Sequence, residues 1–190
     1  MFRIFSCSSL THEKRVSFLA KSLQFLKFKI EWTHIGSGPL LNGLKEIANN
    51  FNDNILFKST GWINPNDVLN FYVEKPCDLF INVSATEGIP VSIMEAFSAG
   101  IPAFATDVGG VKEIVNNENG TLLQEDIQPQ QLAALIENFY CTSEEIKGNF
   151  RKSAYETYQQ FYNAYVNAQE LASLFIDSVK TSNNRNANHS

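Results

Sequence analysis

The sequence predicts an open, Rossmann-like parallel α/β sheet of about six strands, with helices on both faces and further helices at the C-terminal end. Two observations carry this. Short apolar runs suited to buried strands alternate with amphipathic helical runs, the pattern of a parallel sheet covered on both sides. The segments that follow the strand-like runs collect glycines and polar residues, and in such a sheet those segments converge on one edge, outside the carboxyl ends of the strands.

In chain order, the first apolar run, Phe2–Cys7, predicts a strand, and the helical period takes over across Glu13–Leu26. Further strands are expected at Glu31–Ile35, Ile55–Ser59, Leu79–Val83, Pro102–Thr106 and Thr121–Leu123. Between them, helices are expected at Leu40–Phe51, Pro65–Glu74, Val91–Ala99 and Val111–Val115. The fourth helix is bounded most clearly, with Pro90 at its entrance and Gly100 at its exit. Asn116 to Gly120 reads as a turn in which Asn119-Gly120 supplies positive φ angles. Pro129–Tyr140, Ser143–Gln160 and Ala164–Val179 are helical by period. Residues 181–190 are polar and rich in asparagine, which predicts a disordered tail after one domain over 1–180.

The chain has 190 residues, enough for one domain with a substantial core and too few for two of full size. With 15 basic and 20 acidic residues the net charge is −5, so no general field favours nucleic acid, and any phosphate must be met by local donors. Cys7, Cys77 and Cys141 are odd in number and widely spaced, which suits reduced thiols in a cytosolic protein. His12, His34 and His189 are equally scattered, and no metal site is expected. No apolar run approaches the length of a membrane span or of a signal peptide.

Glu87 and Glu95 are the most informative residues. They lie eight positions apart on either side of a strand-to-helix junction. Side chains on a helix lean toward its N-terminus, so Glu95, about one turn inside, can reach the crevice beside the loop that holds Glu87. The amides of Val91 and Ser92, with the positive end of the helix dipole, offer a seat for phosphate. Carboxylates on both sides of an anion seat suit a ligand with hydroxyls beside a diphosphate. Other loops expected at the same edge are Ser8-Ser9 with Lys14-Arg15, Gly36-Ser37-Gly38, Gly61-Trp62-Ile63 and Asp107-Val108-Gly109-Gly110. Each has a plain structural reading as well. Gly36-x-Gly38 and Gly109-Gly110 serve as tight turns, Trp62 as core packing, and Lys14 and Arg15 as solvated charge at a helix start.

From Asn82 to Leu123 the sequence runs through Ser84-Ala85-Thr86-Glu87-Gly88-Ile89-Pro90, Met94-Glu95-Ala96, Gly100-Ile101-Pro102 and Asp107-Val108-Gly109-Gly110. It closely resembles the donor-binding signature of retaining, nucleotide-sugar-dependent glycosyltransferases of the two-domain GT-B fold, group 1 or family 4 type. The similarity reaches upstream to Ser6-Cys7-Ser8-Ser9-Leu10 with Lys14-Arg15, and to Ile35-Gly36-Ser37-Gly38-Pro39, covering roughly residues 2 to 140.

The resemblance implies roles residue by residue. Glu95 would accept hydrogen bonds from the ribose hydroxyls of the nucleotide. Glu87 would contact donor-sugar hydroxyls near the reacting carbon, and backbone around Gly88, Ile89, Val91 and Ser92 would hold the diphosphate or sugar. Pro90 stands where many relatives offer an N–H. Lys14 would neutralise the leaving diphosphate as charge builds on it. Backbone around Trp62 and Ile63 would contact the base, and Gly36, Gly109 and Gly110 would complete the donor site. A second family cation, an arginine shortly before Lys14, falls at Ser9 here, so Arg15 or another basic residue would have to compensate.

The resemblance further implies a UDP- or GDP-sugar as substrate, with no metal or other cofactor. The full enzyme would transfer a hexose to a cell-surface polysaccharide or glycolipid acceptor in the cytoplasm, with the inner face of the membrane and peripheral association left open. The N-terminal acceptor domain of such enzymes is expected to be absent, because the first strand begins at residue 2. This chain alone is then expected to bind nucleotide weakly, to transfer nothing, and to seek the missing domain or another chain. Tyr155, Tyr158, Phe161, Tyr162, Tyr165, Leu171, Leu174 and Phe175 would form the apolar stripe left without its partner. A truncated, non-catalytic nucleotide-binding or interaction module is the alternative. A different GT-B enzyme, such as a sugar-nucleotide epimerase or a glycogen synthase relative, is a third reading.

Overall fold

A computed structural model describes residues 1–163, 165–169 and 172–174. Six strands form one parallel sheet in the order β3-β2-β1-β4-β5-β6. They are β1 (Phe2–Cys7), β2 (Ile30–Ile35), β3 (Ile55–Gly61), β4 (Leu79–Asn82), β5 (Ala103–Thr106) and β6 (Gly120–Leu123). The connecting helices are α1 (Val16–Leu23), α2 (Leu41–Ala48), α3 (Pro65–Glu74), α4 (Val91–Ser98) and α5 (Val111–Ile114). Helices α6 (Pro129–Cys141) and α7 (Glu144–Thr157) follow β6, and a π-helical turn, Tyr158–Tyr162, ends α7.

The period-two alternation of the strands divides the core into two layers. Ile4, Ile30, Trp32, Leu79 and Ile81 face α1, α2 and α6, where Leu19, Leu23, Leu44, Leu132 and Ile136 meet them. Phe5, Phe80, Ala103 and Ala105 face the other side, against Val68 and Tyr72 of α3, Ile93 and Phe97 of α4, Val111 of α5 and Ala154 of α7. Alanines of β5 let α4 and α5 lie close to the sheet. The strand order reverses direction between β1 and β4, so the loops after these two strands diverge and leave a crevice at that point.

Four sequence expectations change. The first helix starts at Val16 rather than Glu13, because residues 11–15 form a turn that ends with Arg15 at φ 50°. A tertiary bond pins that turn, the amide of Ala85 donating to the Glu13 carbonyl at 2.7 Å. Strand β3 runs two residues further than expected, held at its end by the Gly36 amide donating to the Gly61 carbonyl at 2.8 Å. The turn before β6 uses no positive φ at Asn119 or Gly120. Instead the buried Asn119 side chain accepts from the Asn116 amide at 2.8 Å and donates to the Ile114 carbonyl at 2.9 Å. Gly120 is required because a Cβ there would lie 2.0 Å from the Ala103 carbonyl oxygen on β5. Last, α7 gives way to the π-helical turn at Tyr158. Of the expected Ala164–Val179 helix, residues 165–169 and 172–174 are helical; the rest, and the expected tail at 181–190, lie outside the described residues.

Two helix glycines have no such excuse. A Cβ on Gly43 of α2 or Gly148 of α7 would meet nothing within 4 Å. Gly43→Ala and Gly148→Ala are therefore expected to stabilise the chain by about 0.5–1 kcal/mol each, as helix propensity dictates where packing is indifferent. Urea denaturation of the two variants checks this, and a loss of stability in either would contradict it.

Candidate functional site

The crevice between β1 and β4 is walled by the residue 8–15 segment on one side and by residues 83–90 on the other. Across it, the ammonium of Lys14 donates to Glu87 Oε1 at 2.8 Å. The Glu87 carboxylate is held from its own side as well. Asn82, the last residue of β4, donates through Nδ2 at 3.1 Å, while its Oδ1 accepts from the Ser84 amide at 2.9 Å and fixes the loop's departure from the strand. The Glu87 side chain is only 11% exposed. Burial works to raise its pKa, but hydrogen bonds from Lys14, Ser84 and Asn82 outweigh it and hold the carboxyl below its ordinary value. A depressed carboxyl adds stability above the unfolded-state pKa and loses it as the pH falls through the folded one. Glu87→Gln is accordingly expected to flatten the acid side of the stability profile, read from thermal melts across that range; an unchanged acid limb would contradict it.

Beside this pair, toward the β2 and β3 side, a cavity of about 460 Å³ opens at the carboxyl edge. It is lined by Cys7 to Ser9 after β1, Ile35 to Ser37 after β2, Trp62, Ile63 and Pro65 after β3, Val68 of α3, and Val91 and Glu95 of α4. Helix α4 begins without a side-chain cap, because Pro90 occupies that position, so no side chain caps the first-turn amides of Val91 and Ser92. Glu95 sits half-buried where burial raises its carboxyl pKa. Cys7, which lines the cavity, is pushed up to about 11, chiefly by burial, so it is a thiol and no nucleophile. Trp62 is 71% exposed at the rim, which removes the core-packing reading of this residue.

The structure thus gathers Glu95, Gly36, Trp62, Ile63 and Val91 on one cavity and pairs Lys14 with Glu87 on adjoining loops. Glu87 is not part of the lining that holds Glu95. Gly88 and Ile89 are exposed on the loop between Glu87 and α4, and Ser92 is half-buried in its first turn. Gly109 and Gly110 have a packing reason of their own. Gly109 has φ 55°, a Cβ on it would fall 1.9 Å from the Glu87 carbonyl oxygen, and the Gly110 amide donates to the Gly88 carbonyl at 2.9 Å. These glycines let the loop after β5 close against the back of the Glu87 loop.

Arg15 is not brought to the crevice. Its left-handed backbone turns the side chain toward the loop after β6, where it donates to the Glu125 carbonyl at 3.1 Å and lies 4.6 Å from the Phe18 ring centroid. In this arrangement Lys14 is the cation that meets Glu87. The sequence assigns no role to Asn82 or Ser84, although an asparagine closing an apolar strand is itself a signal, since a buried amide needs partners.

A larger hollow of about 550 Å³ opens on the α3 face of β1 to β3. It gathers none of the expected site residues, and its carboxylate, Glu31, is paired with Lys58 at 2.7 Å. Among the described residues no group of three or more His, Cys, Asp or Glu side chains comes together, the three cysteines are unpaired, and no helix is long and apolar enough to cross a membrane.

The sequence profile of the family described as glycosyl transferases group 1 matches residues 2–157. Over 167 residues the chain is 29% identical to the O-antigen biosynthesis glycosyltransferase WbnH of Escherichia coli, covering 87% of this chain and 46% of that protein. The chain therefore spans under half the length of this curated relative. Among solved structures, HepE of Anabaena in complex with UDP-glucose superposes with a TM-score of 0.77 at 20% identity, over 93% of this chain and 49% of HepE. The C-terminal domain of a group 1 glycosyl transferase, LpcC of Francisella tularensis, superposes with a TM-score of 0.72 at 20% identity, over 86% of this chain and 87% of that one. At such identities these likenesses establish the fold.

Proposed function

This chain belongs to the glycosyl transferases group 1 family, and from that premise we propose that it is the C-terminal, donor-binding half of a retaining transferase using a UDP- or GDP-activated hexose. The observation that carries the reading is the arrangement at the switch point: an ammonium and a carboxylate in contact beside a cavity that holds a second carboxylate and an uncapped helix start. The nucleoside fits the cavity, with its ribose hydroxyls donating to Glu95 and its base near Trp62 and Ile63. The diphosphate lies across the first-turn amides of α4. Lys14 has three N–H donors and spends one on Glu87, leaving two for the leaving oxygens. Glu87 then meets donor hydroxyls and keeps Lys14 in place.

Transfer on this reading uses no metal, because Lys14 and the helix start take up the charge that develops on the departing diphosphate. Chelator should leave nucleotide affinity unchanged; a drop on adding EDTA, restored by a divalent ion, would count against it. The acceptor is proposed to be a cell-surface polysaccharide or glycolipid precursor, in line with the O-antigen biosynthesis served by WbnH, met in the cytoplasm or at the inner membrane face.

Titrating UDP and GDP by calorimetry against the natural chain and Glu95→Ala tests the site. Glu95→Ala is expected to weaken binding at least about tenfold through lost ribose bonds to a charged acceptor. No binding by the natural chain, or equal binding by the variant, would defeat the assignment.

A second reading, a non-catalytic module that keeps the fold with weakened donor affinity, is favoured by Ser9 and by the engagement of Arg15 at Glu125, which leave Lys14 as the cation at the Glu87 loop. Rejoining the chain to an acceptor domain separates the two, since transfer by the rejoined enzyme would exclude the module. Tyr155, Phe161, Tyr165 and Leu174 are exposed, whereas Tyr158 and Tyr162 pack partly on the core beside α4. We expect the exposed set to dock the acceptor domain and, without it, to drive self-association. Sedimentation across concentration reads this, and a monomer with no affinity for apolar dyes would count against it.

A further inference from the structure

Three polar side chains lie on the α1 and α2 face of the sheet, behind the Ser8 and Gly36 wall of the cavity, where the sheet should be apolar. Trp32 and His34 of β2 are both 0% exposed, and Ser6 of the adjacent β1 is buried. Trp32 Nε1 donates to Ser6 Oγ at 2.9 Å, and Ser6 Oγ lies 2.9 Å from His34 Nδ1. Donor accounting fixes the direction. An indole N–H can only donate, so the Ser6 oxygen accepts; its single proton is then free for His34 Nδ1, which must be the unprotonated ring nitrogen. Were Nδ1 the donor, Ser6 would receive two donors and its own proton would have no acceptor among the described residues. The imidazole proton therefore sits on Nε2. That atom has no hydrogen-bond partner among the described residues, and the Ser8 carbonyl is the backbone acceptor that works to raise the imidazole pKa against burial. A Cβ placed on Gly36 would stand 3.5 Å from Nε2 and 2.0 Å from the Ser8 oxygen, so the imidazole edge and the Ser8 carbonyl border the same space beside Gly36. Ser8 and Gly36 are both in the cavity lining.

We propose that His34 is a positioning residue for the nucleotide, its Nε2 proton drawing the Ser8 carbonyl against Gly36 and so fixing the wall between the loops after β1 and β2. This rests on the donor-site reading above. The relay begins in the core at Trp32 and ends at the ligand wall, which gives a buried polar chain a purpose that packing alone would not require. Burial holds the imidazole neutral, its pKa lowered to about 4, so the arrangement keeps one tautomer across the range in which an ordinary histidine titrates.

The test compares UDP affinity by calorimetry, well below each melting point, for the natural chain, His34→Leu and His34→Gln. Leucine fills the site without a donor; glutamine returns an N–H near the place of Nε2. The expected result is about tenfold weaker binding for His34→Leu, the size of one lost hydrogen bond, and recovery to within about threefold for His34→Gln. A purely structural role would lower both melting points and leave the affinity of the folded protein unchanged, and that outcome overturns the inference. If UDP fails to bind the natural chain, the donor-site reading falls and takes this inference with it. If UDP binds the natural chain and His34→Leu equally, this inference alone falls. Should both variants fail to fold, nitrogen-15 spectra of the natural chain decide: His34 is expected to stay Nε2-protonated between about pH 8 and about pH 5, with that resonance moving when UDP is added. A ring protonated on Nδ1, or a resonance indifferent to UDP, overturns it.

Discussion

Lys14→Ala is expected to weaken UDP binding by about thirtyfold to a hundredfold. The effect is larger than one lost phosphate contact because the variant leaves Glu87 behind. That carboxylate, with its side chain only 11% exposed, would face the diphosphate with its charge unopposed. The same reasoning predicts the sign of a double-variant cycle. Lys14→Ala with Glu87→Gln removes both charges, and affinity should recover about three- to tenfold relative to Lys14→Ala alone, a coupling of the kind contacting pairs show. Calorimetry on the four proteins reads it. If Lys14→Ala binds UDP as the natural chain does, or if the second substitution brings no recovery, Lys14 and Glu87 are a surface ion pair of the sort worth little, and the donor diphosphate lies elsewhere.

Gly109→Ala should be among the most damaging methyls that can be added to this chain near the crevice. The backbone at 109 has φ 55°, a conformation costing an L-residue about 1–2 kcal/mol, and the new Cβ would fall 1.9 Å from the Glu87 carbonyl oxygen. Neither the strand end nor α5 can give way easily, since Val111 and Ile114 are buried, so the Glu87 loop must move instead. We expect a loss of about 2–4 kcal/mol in stability together with about tenfold or greater loss of UDP affinity. Gly88→Ala is the control on the same loop: a Cβ there would meet nothing within 4 Å, and the fold should tolerate it. Equal stability of Gly109→Ala and the natural chain in urea would show that the contact between the loops after β4 and β5 does not set the position of Glu87.

Much of this architecture is legible in the sequence because short apolar runs and helical runs differ in period, and period is a local property. The strand at Phe2–Cys7 and the helix at Pro65–Glu74 were recoverable to the residue for that reason. The misreadings fall where a distant partner overrides local preference. Val16 begins α1 because the Ala85 amide takes the Glu13 carbonyl, a bond between segments far apart in the chain. Asn119-Gly120 looks like a turn dipeptide, yet its glycine answers to the Ala103 carbonyl on the neighbouring strand and its asparagine to Ile114. Arg15 looked like a phosphate ligand by its place beside Lys14, and one left-handed φ sends it to the Glu125 carbonyl.

The amino-acid order alone settled which segments become strands and helices, that the loops after the strands share an edge, and that this edge carries carboxylates, an ammonium and glycines. Folding in three dimensions decided which of those groups meet. Strand order β3-β2-β1-β4-β5-β6 sets the loops after β1 and β4 facing one another, and so joins Lys14 to Glu87 across 73 positions of chain. It also laid β1 against β2, which makes Trp32, Ser6 and His34 a single relay behind the Ser8 and Gly36 wall of the cavity. The reason is physical: periodicity and propensity act over a few residues, whereas pairing across a sheet is fixed by which side chains can be buried together, and that balance is struck only when the whole core closes.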